Sequence, residues 1–351
     1  METNNVNSQI DLFGRKEQLT AKKFLANLDV PNVESALNYS NFRLICGALF
    51  PPDELEQHDW RIKDMFDMFD NDHDGALKEK EWKIFYEWLR MMVEPVNALV
   101  VVDMQNDFID GSLALRDCRA NQNGFDAVEP INRLIKHGFF DKIIYSLDWH
   151  PENHISFYEN LHSRELHTDS KVTKEEAKLF DTVVFAKPYL EQTLWPKHCV
   201  MYSWGAQLHK DLVIVPGSEQ VLKGKDPEKE VYSAFLEKDS SGSSELLKIL
   251  RRSDVTHVFV CGVAYDICVK ATCLSGLQLG YPLGVINDCC RGVDPDGIEA
   301  TKQLILENDG IIIESDEALS LVNGEKRSLL MSHKSAKTLA STLVSNTIAA
   351  M

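Results

Sequence analysis

No stretch of this 351-residue sequence contains the roughly 20 consecutive apolar residues that a membrane-spanning helix requires. The N-terminal segment METNNVNSQIDLFGRK also lacks the apolar core of a signal peptide. Basic residues are few, because 37 Lys and Arg face 54 Asp and Glu and the formal net charge is -17. That balance argues against a nucleic-acid surface, which needs clustered positive charge. We therefore expect a cytoplasmic or nuclear protein that binds neither membranes nor nucleic acids.

The eight cysteines are scattered, and several lie in apolar runs. Without a secretion signal, they are expected to be reduced thiols, of which one or more is catalytic. The length exceeds that of one ordinary hydrophobic core and predicts two domains. Homo-oligomerisation is compatible with the sequence, which does not decide it.

The pattern of apolar residues changes near residues 93–97. Before this point the apolar residues recur at helical spacing. After it, short continuous apolar runs indicate strands that are buried on both faces. These runs occur at residues 98–102, 142–147, 182–185, 211–215, 257–261, 282–286 and 310–313. Amphipathic stretches at 128–137, 244–251, 271–280 and 297–308 separate several of them. The alternation predicts a doubly wound α/β domain with a mostly parallel sheet over residues 95–325, preceded by a small all-α domain over residues 1–94. Residues 326–351 are left as a tail or helix.

Residues 70–81 match the twelve-residue calcium loop of an EF-hand. The calcium ligands are expected to be the side chains or carbonyl groups of Asp70, Asp72, Asp74, Ala76 and Glu81. Gly75 stands at the sixth position, where the loop turns sharply. The alternative is a solvated acidic turn. Lys78, at the ninth position, departs from the motif and bears on the affinity.

A second, degenerate loop is predicted at residues 30–41, because aligning Leu77 with Leu37 places it there. Its residues Val30, Asn32 and Glu34 do not supply the required oxygen ligands. We interpret it as a metal-free partner of the loop at 70–81. The pair could serve as a calcium sensor, a buffer or a stabilising element.

Three predicted strand ends carry chemically reactive side chains. Asp103 follows the run VVV, Lys223 follows Val221 and Leu222, and Cys268 lies shortly after the run VFVCGV. Cys268 is expected in the first turn of a helix, where the helix dipole and free N–H groups lower a thiol pKa. The alternatives are an inert buried thiol for Cys268 and a solvated loop lysine for Lys223.

The motifs VVDMQNDF, VLKG and CGVAYDICVKAT, in this order, resemble the isochorismatase-like cysteine hydrolases. DWHPENHISF and LWPKHCV narrow the resemblance to the nicotinamidases, over residues 97 to about 325. With an EF-hand module in front, the chain resembles the animal type of that family. The resemblance implies a flavodoxin-like, doubly wound fold, nicotinamide as the bound substrate, and its hydrolysis to nicotinate and ammonia in NAD salvage.

The resemblance also implies roles for individual residues. The catalytic triad would be Asp103, Lys223 and Cys268, acting through a cysteine thioester. The backbone N–H groups of Ala264 and Cys268 would form the oxyanion hole, with a cis peptide before Ala264. Two aromatic side chains would hold the pyridine ring between them, with ordinary core packing as their alternative: Phe108 and Trp195.

The resemblance further implies a metal site formed by Asp148, His150 and His198, with His154 as an optional ligand. One carboxylate and two imidazoles accept zinc, iron or manganese. The alternation in Asp148-Trp149-His150 puts both ligand side chains on one side of an extended segment. An isolated Asp-X-His pair would more often be a surface hydrogen-bonded pair.

Two other functions are compatible with the sequence. The first is hydrolysis of a different small amide or enol ether by an enzyme of the same superfamily. The second is a calcium-binding interaction protein whose hydrolase-like domain serves mainly to bind. The complete triad argues against the second alternative.

Overall fold

The computed structural model describes residues 19–28, 36–237 and 242–349, with side chains described only up to residue 341 in the last range. In these ranges the chain forms α1 (Ala21–Asn27), α2 (Tyr39–Leu49), α3 (Pro52–Gln57), α4 (Asp59–Phe69), α5 (Glu79–Val93), α6 (Asn106–Ile109), α7 (Val128–His137), α8 (Glu245–Arg252), α9 (Lys270–Gln278), α10 (Pro295–Glu307), α11 (Ser315–Val322) and α12 (Leu329–Ala349). The strands are β1 (Leu37–Asn38), β2 (Ala76–Leu77), β3 (Asn97–Val102), β4 (Lys142–Asp148), β5 (Thr182–Ala186), β6 (Tyr189–Thr193), β7 (Glu219–Lys223), β8 (His257–Val263), β9 (Leu283–Arg291) and β10 (Ile311–Ile313).

Six parallel strands form the central sheet in the order β10-β9-β8-β3-β4-β7. The two middle strands, β3 and β8, are buried along their whole length, as their continuous apolar runs predict. The predicted α/β fold with a parallel sheet is confirmed. If the six strands of this sheet are numbered from 1 to 6 along the chain, their order in the sheet is 3-2-1-4-5-6. Flavodoxin has the order 2-1-3-4-5. The difference arises because β7 adds outside β4 before the chain crosses to the other side of β3.

Two strand predictions need correction. Residues 182–185 do form a strand, β5, but it pairs antiparallel with β6 in a separate hairpin. Residues 211–215 form no strand. Their backbone groups bond to side chains, since Tyr145 donates its hydroxyl to the carbonyl of Val213 at 2.8 Å and Asn132 bonds to both Asp211 and Val213. An apolar run whose backbone groups are hydrogen-bonded to side chains in this way does not pair with a neighbouring strand.

The N-terminal helices pack around an aromatic core. Phe42 of α2 makes ring contacts with Phe66 and Phe69 of α4 and with Phe85 and Trp88 of α5. The short strands β1 and β2 join the two loops, and Leu37 pairs with Leu77 as predicted. Residues 29–35, including the predicted loop positions Val30, Asn32 and Glu34, lie outside the described residues.

The C-terminal helix α12 packs against this N-terminal unit. Leu329 and Ala336 belong to its apolar core, and the indole N–H of Trp88 donates to the carbonyl of Ser332 at 3.1 Å. The same helix reaches the hydrolase-like part, where the Thr338 hydroxyl donates to the carbonyl of Gly280 at 2.9 Å. Of the two alternatives for the C-terminal segment, the helical one is therefore adopted over Leu329–Ala349. In the described part of the chain, no helix is both long and apolar enough to span a membrane.

Candidate active site

Four predicted site residues lie at the carboxyl ends of neighbouring strands. Asp103 follows β3, Asp148 ends β4 and Lys223 ends β7. Cys268 lies in a π-helical turn, Tyr265–Val269, between β8 and α9. The strand order reverses between β3 and β8, and this is where doubly wound sheets bind ligands. The topology thus brings residues from distant parts of the sequence to one edge of the sheet.

Lys223 is fully buried among charged and reactive groups. Its ammonium nitrogen lies 2.9 Å from Oδ2 of Asp103 and 3.3 Å from Sγ of Cys268, and it also forms an ion pair with Asp148. This geometry excludes the solvated-loop alternative for Lys223, whereas Lys225 two residues later is exposed. The three triad residues predicted from the resemblance are therefore in mutual contact.

The pKa values of the two carboxyl groups are shifted in opposite directions. Burial raises the pKa of Asp103 above its ordinary value, although Lys223 opposes this shift. Burial acts in the same sense on Asp148, but Lys223 and His150 outweigh it and lower the Asp148 pKa. When neighbouring acids are shifted apart, the one with the raised pKa suits proton transfer and the other stays anionic. Asp103 fits the first role and Asp148 fits the role of a ligand for a cation.

The thiol of Cys268 corrects one sequence-based expectation. Complete burial raises its pKa well above the ordinary value, and the carboxylates of Asp103 and Asp148 add to the rise, while Lys223 opposes it. The expected lowering by the helix end is therefore wrong for the resting site. The physical reason is that thiolate formation would add a negative charge beside two buried carboxylates, and the attraction of Lys223 does not outweigh the cost of burial. The thiol must lose its proton to a base during the reaction, and Asp103 is adjacent.

Backbone features hold Asp103 in place. Its φ angle is +50°, and its carboxylate accepts a hydrogen bond from the Ser146 hydroxyl at 2.7 Å. On the neighbouring strand, a Cβ at Gly262 would lie 2.1 Å from the carbonyl oxygen of Val102. Only glycine allows β8 to approach β3 this closely where their ends display Cys268 and Asp103.

The predicted metal ligands Asp148, His150 and His198 form one buried cluster, with their ligand atoms within 4.8 Å of one another. Nδ1 of His150 donates to the carbonyl of Gly224 at 2.9 Å, and Nδ1 of His198 donates to the carbonyl of Pro196 at 2.7 Å. Both rings therefore turn Nε2 toward Asp148. Nε2 of His150 is buried and has no hydrogen-bond partner among the residues that the structure describes. A divalent cation fits this donor set, because backbone acceptors at Nδ1 are the usual support for a metal-binding Nε2.

His154 is arranged differently from the other two histidines. Its ring stacks on His150 with centroids 4.1 Å apart. Its Nδ1 lies 2.8 Å from the Ser156 hydroxyl, and its Nε2 lies 3.2 Å from the carbonyl oxygen of Lys229. Both ring nitrogens of His154 therefore already have hydrogen-bond partners. In this arrangement His154 packs beside the metal-ligand cluster and supports the His150 ring.

Glu230 is a site residue that the sequence reasoning missed. Its carboxylate groups with His150 and His154 within 4.8 Å. Burial raises the pKa of Glu230, against the attraction of His150. Little in the sequence indicates a site role for Glu230, because it stands in a charged stretch that has the composition of a solvated loop.

A cavity opens onto the cluster. Its wall contains both predicted aromatic residues, Phe108 and Trp195, together with the reactive Cys268. The indole N–H of Trp195 donates to the hydroxyl of Tyr232 at 3.0 Å, and Tyr232 is a second lining residue that the sequence did not indicate. The cavity therefore joins an apolar slot for a flat ring to the thiol and to the metal-ligand cluster. Its full lining is Phe108, Leu113, Leu115, Asp148, Trp195, His198, Glu230, Tyr232, Ala264, Ile267, Cys268 and Val293.

The backbone before the thiol has the form that the resemblance implies. The Val263–Ala264 peptide is cis. The carbonyl of Ala264 accepts hydrogen bonds from the N–H groups of Ile267 and Val269, both at 3.1 Å. Ala264 also lines the cavity beside Cys268. The backbone at Ala264 is thus anchored next to the position where a substrate carbonyl would meet the thiol.

A second acidic cluster lies in the N-terminal unit. Ligand oxygens of Asp70, Asp72 and Glu81 lie within 4.8 Å of one another. Gly75 has φ +85°, which the sharp turn requires. Asp74, the other predicted side-chain ligand, instead forms an ion pair with Lys78. The loop thus gathers three of its four predicted carboxylates.

This chain is similar to known proteins over much of its length. The model of the isochorismatase domain matches residues 97–316. The chain is 38% identical to the nicotinamidase of Escherichia coli over 203 residues, which cover 57% of this chain and 85% of the relative. It is 35% identical to the nicotinamidase of Saccharomyces cerevisiae over 217 residues, 59% of this chain and 94% of the relative. The solved structure of an Acinetobacter nicotinamidase/pyrazinamidase superposes with a TM-score of 0.53 and 33% identity, covering 64% of this chain and 98% of that one.

Proposed function

This chain belongs to the isochorismatase family, and on that basis we propose that it hydrolyses nicotinamide to nicotinate and ammonia in NAD salvage. The observation that carries the proposal is the contact of Lys223 with both Asp103 and Cys268, where Cys268 lines a cavity that also has aromatic side chains in its wall. The relatives from Escherichia coli and yeast are nicotinamidases, which favours this amide over others.

In the proposed reaction, Asp103 takes the proton of the Cys268 thiol as sulfur attacks the carboxamide carbon. The carbonyl oxygen becomes an oxyanion, which the N–H groups of Ala264 and Cys268 would stabilise. Asp103 then returns the proton to the departing nitrogen, so that ammonia leaves and a thioester forms. Lys223 keeps the developing negative charge of the site balanced throughout.

The second half of the reaction reverses these roles. A water molecule gives a proton to Asp103 and attacks the thioester carbon, and the bond from carbon to the sulfur of Cys268 breaks. The sulfur recovers the proton from Asp103, and nicotinate is released. Each turnover therefore consumes one water and restores the thiol and the carboxylate to their starting states.

Asp148, His150 and His198 are the residues that would hold a divalent ion, with zinc first and iron or manganese as alternatives. Such an ion would supply a Lewis-acidic position for the pyridine nitrogen or for water. Around it, Phe108 and Trp195 would orient the ring so that its carboxamide reaches Cys268. Correct orientation of this kind contributes a large part of catalysis.

The test is ammonia release from nicotinamide by the metal-loaded, full-length protein. We expect release by the wild type, none by Cys268→Ala, and near-wild-type release by Cys118→Ala, which removes a thiol elsewhere. No release by the wild type, or equal release by Cys268→Ala, would contradict the proposal. Release from another amide in preference to nicotinamide would favour the broader amidase alternative.

We also propose that the N-terminal unit, residues 1–94, is an EF-hand pair that binds one calcium ion in the loop at 70–81. The grouping of Asp70, Asp72 and Glu81 and the pairing of Leu37 with Leu77 support this proposal. Calorimetry should find one calcium site in the wild type. Glu81→Gln should abolish it, whereas Glu79→Gln, which removes an exposed charge nearby, should retain it. Equal binding by both variants would contradict the proposed ligand role of Glu81.

The eight cysteines, all among the described residues, are free thiols. This supports the proposed location in the cytoplasm, with the nucleus as the alternative, since both keep thiols reduced.

A further inference from the structure

A second cavity lies at the opposite edge of the sheet from the active site. Asn97, at the start of β3, and His257, at the start of β8, line it, whereas Asp103 and Cys268 follow the other ends of these strands. β3 has six residues, so the two cavities are about 20 Å apart. We refer to this second space as the junction cavity, because Met92 of α5 also lines it.

The junction cavity contains the guanidinium group of Arg327, to which no described residue supplies a carboxylate partner. Nε of Arg327 donates to the carbonyl of Met92 at 2.6 Å, and Nη1 donates to the carbonyl of Lys326 at 3.0 Å. Burial lowers the pKa of Arg327, and no acidic residue is among the causes that act on it. Within the described ranges, its hydrogen bonds are therefore to neutral acceptors. A largely desolvated cation of this kind normally has an anionic partner.

Among the charged side chains that line the cavity, Lys326 and Arg327, only Lys326 pairs with a carboxylate of the described residues. The ammonium of Lys326 pairs with Glu317 at 2.6 Å and is neutralised. Burial, and the nearby Arg327, lower the pKa of His257 to about 4, so its imidazole is neutral near pH 7. Asn97 and Ser328 add uncharged hydrogen-bonding groups. A single negative charge would balance this set, which favours a monoanion over a phosphate dianion.

Much of the remaining wall is apolar and buried. Phe259, Leu321 and Met331 line the cavity, and each is less than one-tenth exposed. A ligand held against this wall would therefore place an apolar body against these side chains.

We propose that the junction cavity binds a small organic monocarboxylate. Its carboxylate pairs with the Arg327 guanidinium, for which a planar two-oxygen anion is the matching partner. Its apolar body lies against Phe259, Leu321 and Met331. Because the cavity walls come from α5, β8, α11 and α12, the ligand also tightens the attachment of the N-terminal unit to the sheet. Nicotinate has this chemistry, but the inference does not depend on the reaction proposed above.

The probe for this site is benzoate, which has the carboxylate and one apolar ring but no pyridine nitrogen. Full-length wild-type protein is expected to bind one benzoate by calorimetry and to show a higher melting temperature with it. Benzamide, the uncharged analogue, is expected to produce neither effect. Inorganic phosphate is expected to bind more weakly than benzoate. Binding of phosphate that is equal to or tighter than that of benzoate would overturn the assigned ligand class.

Three variants locate the site. Arg327→Gln should weaken benzoate binding at least tenfold, and Phe108→Ala, which alters only the active-site cavity, should leave it unchanged. Arg327→Lys keeps the positive charge and the fold, and it should weaken binding less than Arg327→Gln does. Three results would each overturn the proposal: no benzoate binding by the wild type, equal affinity in all three variants, or loss of binding in Phe108→Ala with retention in Arg327→Gln.

Discussion

The ammonium nitrogen of Lys223 lies 2.9 Å from the carboxylate of Asp103, and neither side chain is exposed to solvent. A buried ion pair of this kind is strongly destabilised when only one partner is removed, because the other charge is left without compensation. Removal of Lys223 would leave two carboxylates without this cation, because Asp148 also forms an ion pair with it. The pair therefore links the stability of the fold to the chemistry at Cys268.

The first prediction concerns removal of this lysine. Lys223→Met keeps a similar volume but leaves two buried carboxylates unpaired, so we expect ammonia release to be abolished. The free energy of unfolding should fall by about 3–5 kcal/mol in urea titrations. Lys225→Met, which removes an exposed lysine from the same loop, is the matched control and should change neither quantity measurably. A Lys223→Met enzyme with the wild-type rate would show that Asp103 needs no cation beside it.

The second prediction is a pH dependence set by Asp103. The reaction requires Asp103 in its unprotonated form, and burial raises its pKa. A raised pKa means that protonation occurs at higher pH than in a solvated aspartate, so activity should fall on acidification well before pH 3.9 is reached. The measurement is kcat/KM against pH for metal-loaded enzyme, over the range in which circular dichroism shows the fold intact. An acid limb centred at or below 3.9 would contradict the role of Asp103 as the base.

The third prediction separates the histidines of the metal-ligand cluster. His198 turns Nε2 toward Asp148, so His198→Ala should weaken retention of the bound divalent ion about tenfold or more against a chelator. Both nitrogens of His154 are already hydrogen-bonded, so His154→Ala should retain the ion. Metal content after dialysis, measured by mass spectrometry, gives the comparison. Equal metal loss in the two variants would make His154 a ligand and would revise the site.

The parts of this site that the sequence predicts are those controlled by local pattern. Asp103 and Lys223 follow apolar runs that end at one edge of the sheet. Parallel strands bring such ends together regardless of the conformation of the connecting loops. The pKa of Cys268 could not be predicted in the same way, because it depends on burial and on carboxylates from other strands. Glu230 was missed for a related reason, since only the folded loop turns it toward His150.

The apolar run at residues 211–215 is predicted to be a strand from its composition, but tertiary contacts prevent that strand from forming. Val213 and Ile214 have the composition of a strand, but both are exposed. The Tyr145 hydroxyl and the Asn132 side chain occupy the backbone groups that a neighbouring strand would need. Intrinsic strand preference is weak enough for such tertiary contacts to decide the outcome.

The fourth prediction concerns the interface between α12 and α4. His333 is fully buried there, with Nε2 2.7 Å from a carboxylate oxygen of Asp64 and Nδ1 2.7 Å from the guanidinium of Arg61. The neutral ring satisfies both contacts, because Nε2–H donates to Asp64 while Nδ1 accepts from Arg61. Protonation of Nδ1 would place one donor against another. Burial accordingly lowers the pKa of His333, and Arg61 and Lys337 add to the lowering against the opposing effect of Asp64.

The sign of the resulting stability effect follows from this lowered pKa. A histidine with a lowered folded-state pKa contributes stability that is present above its unfolded value, about 6.5, and is lost as the pH falls below it. The melting temperature should therefore drop between pH 7 and pH 5 more in the wild type than in His333→Gln, whose amide can both accept from Arg61 and donate to Asp64. His137→Gln, which replaces an exposed histidine, is the control and should keep the wild-type slope. If His333→Gln and wild type show the same slope, the α12 interface does not contribute to the acid sensitivity of the fold.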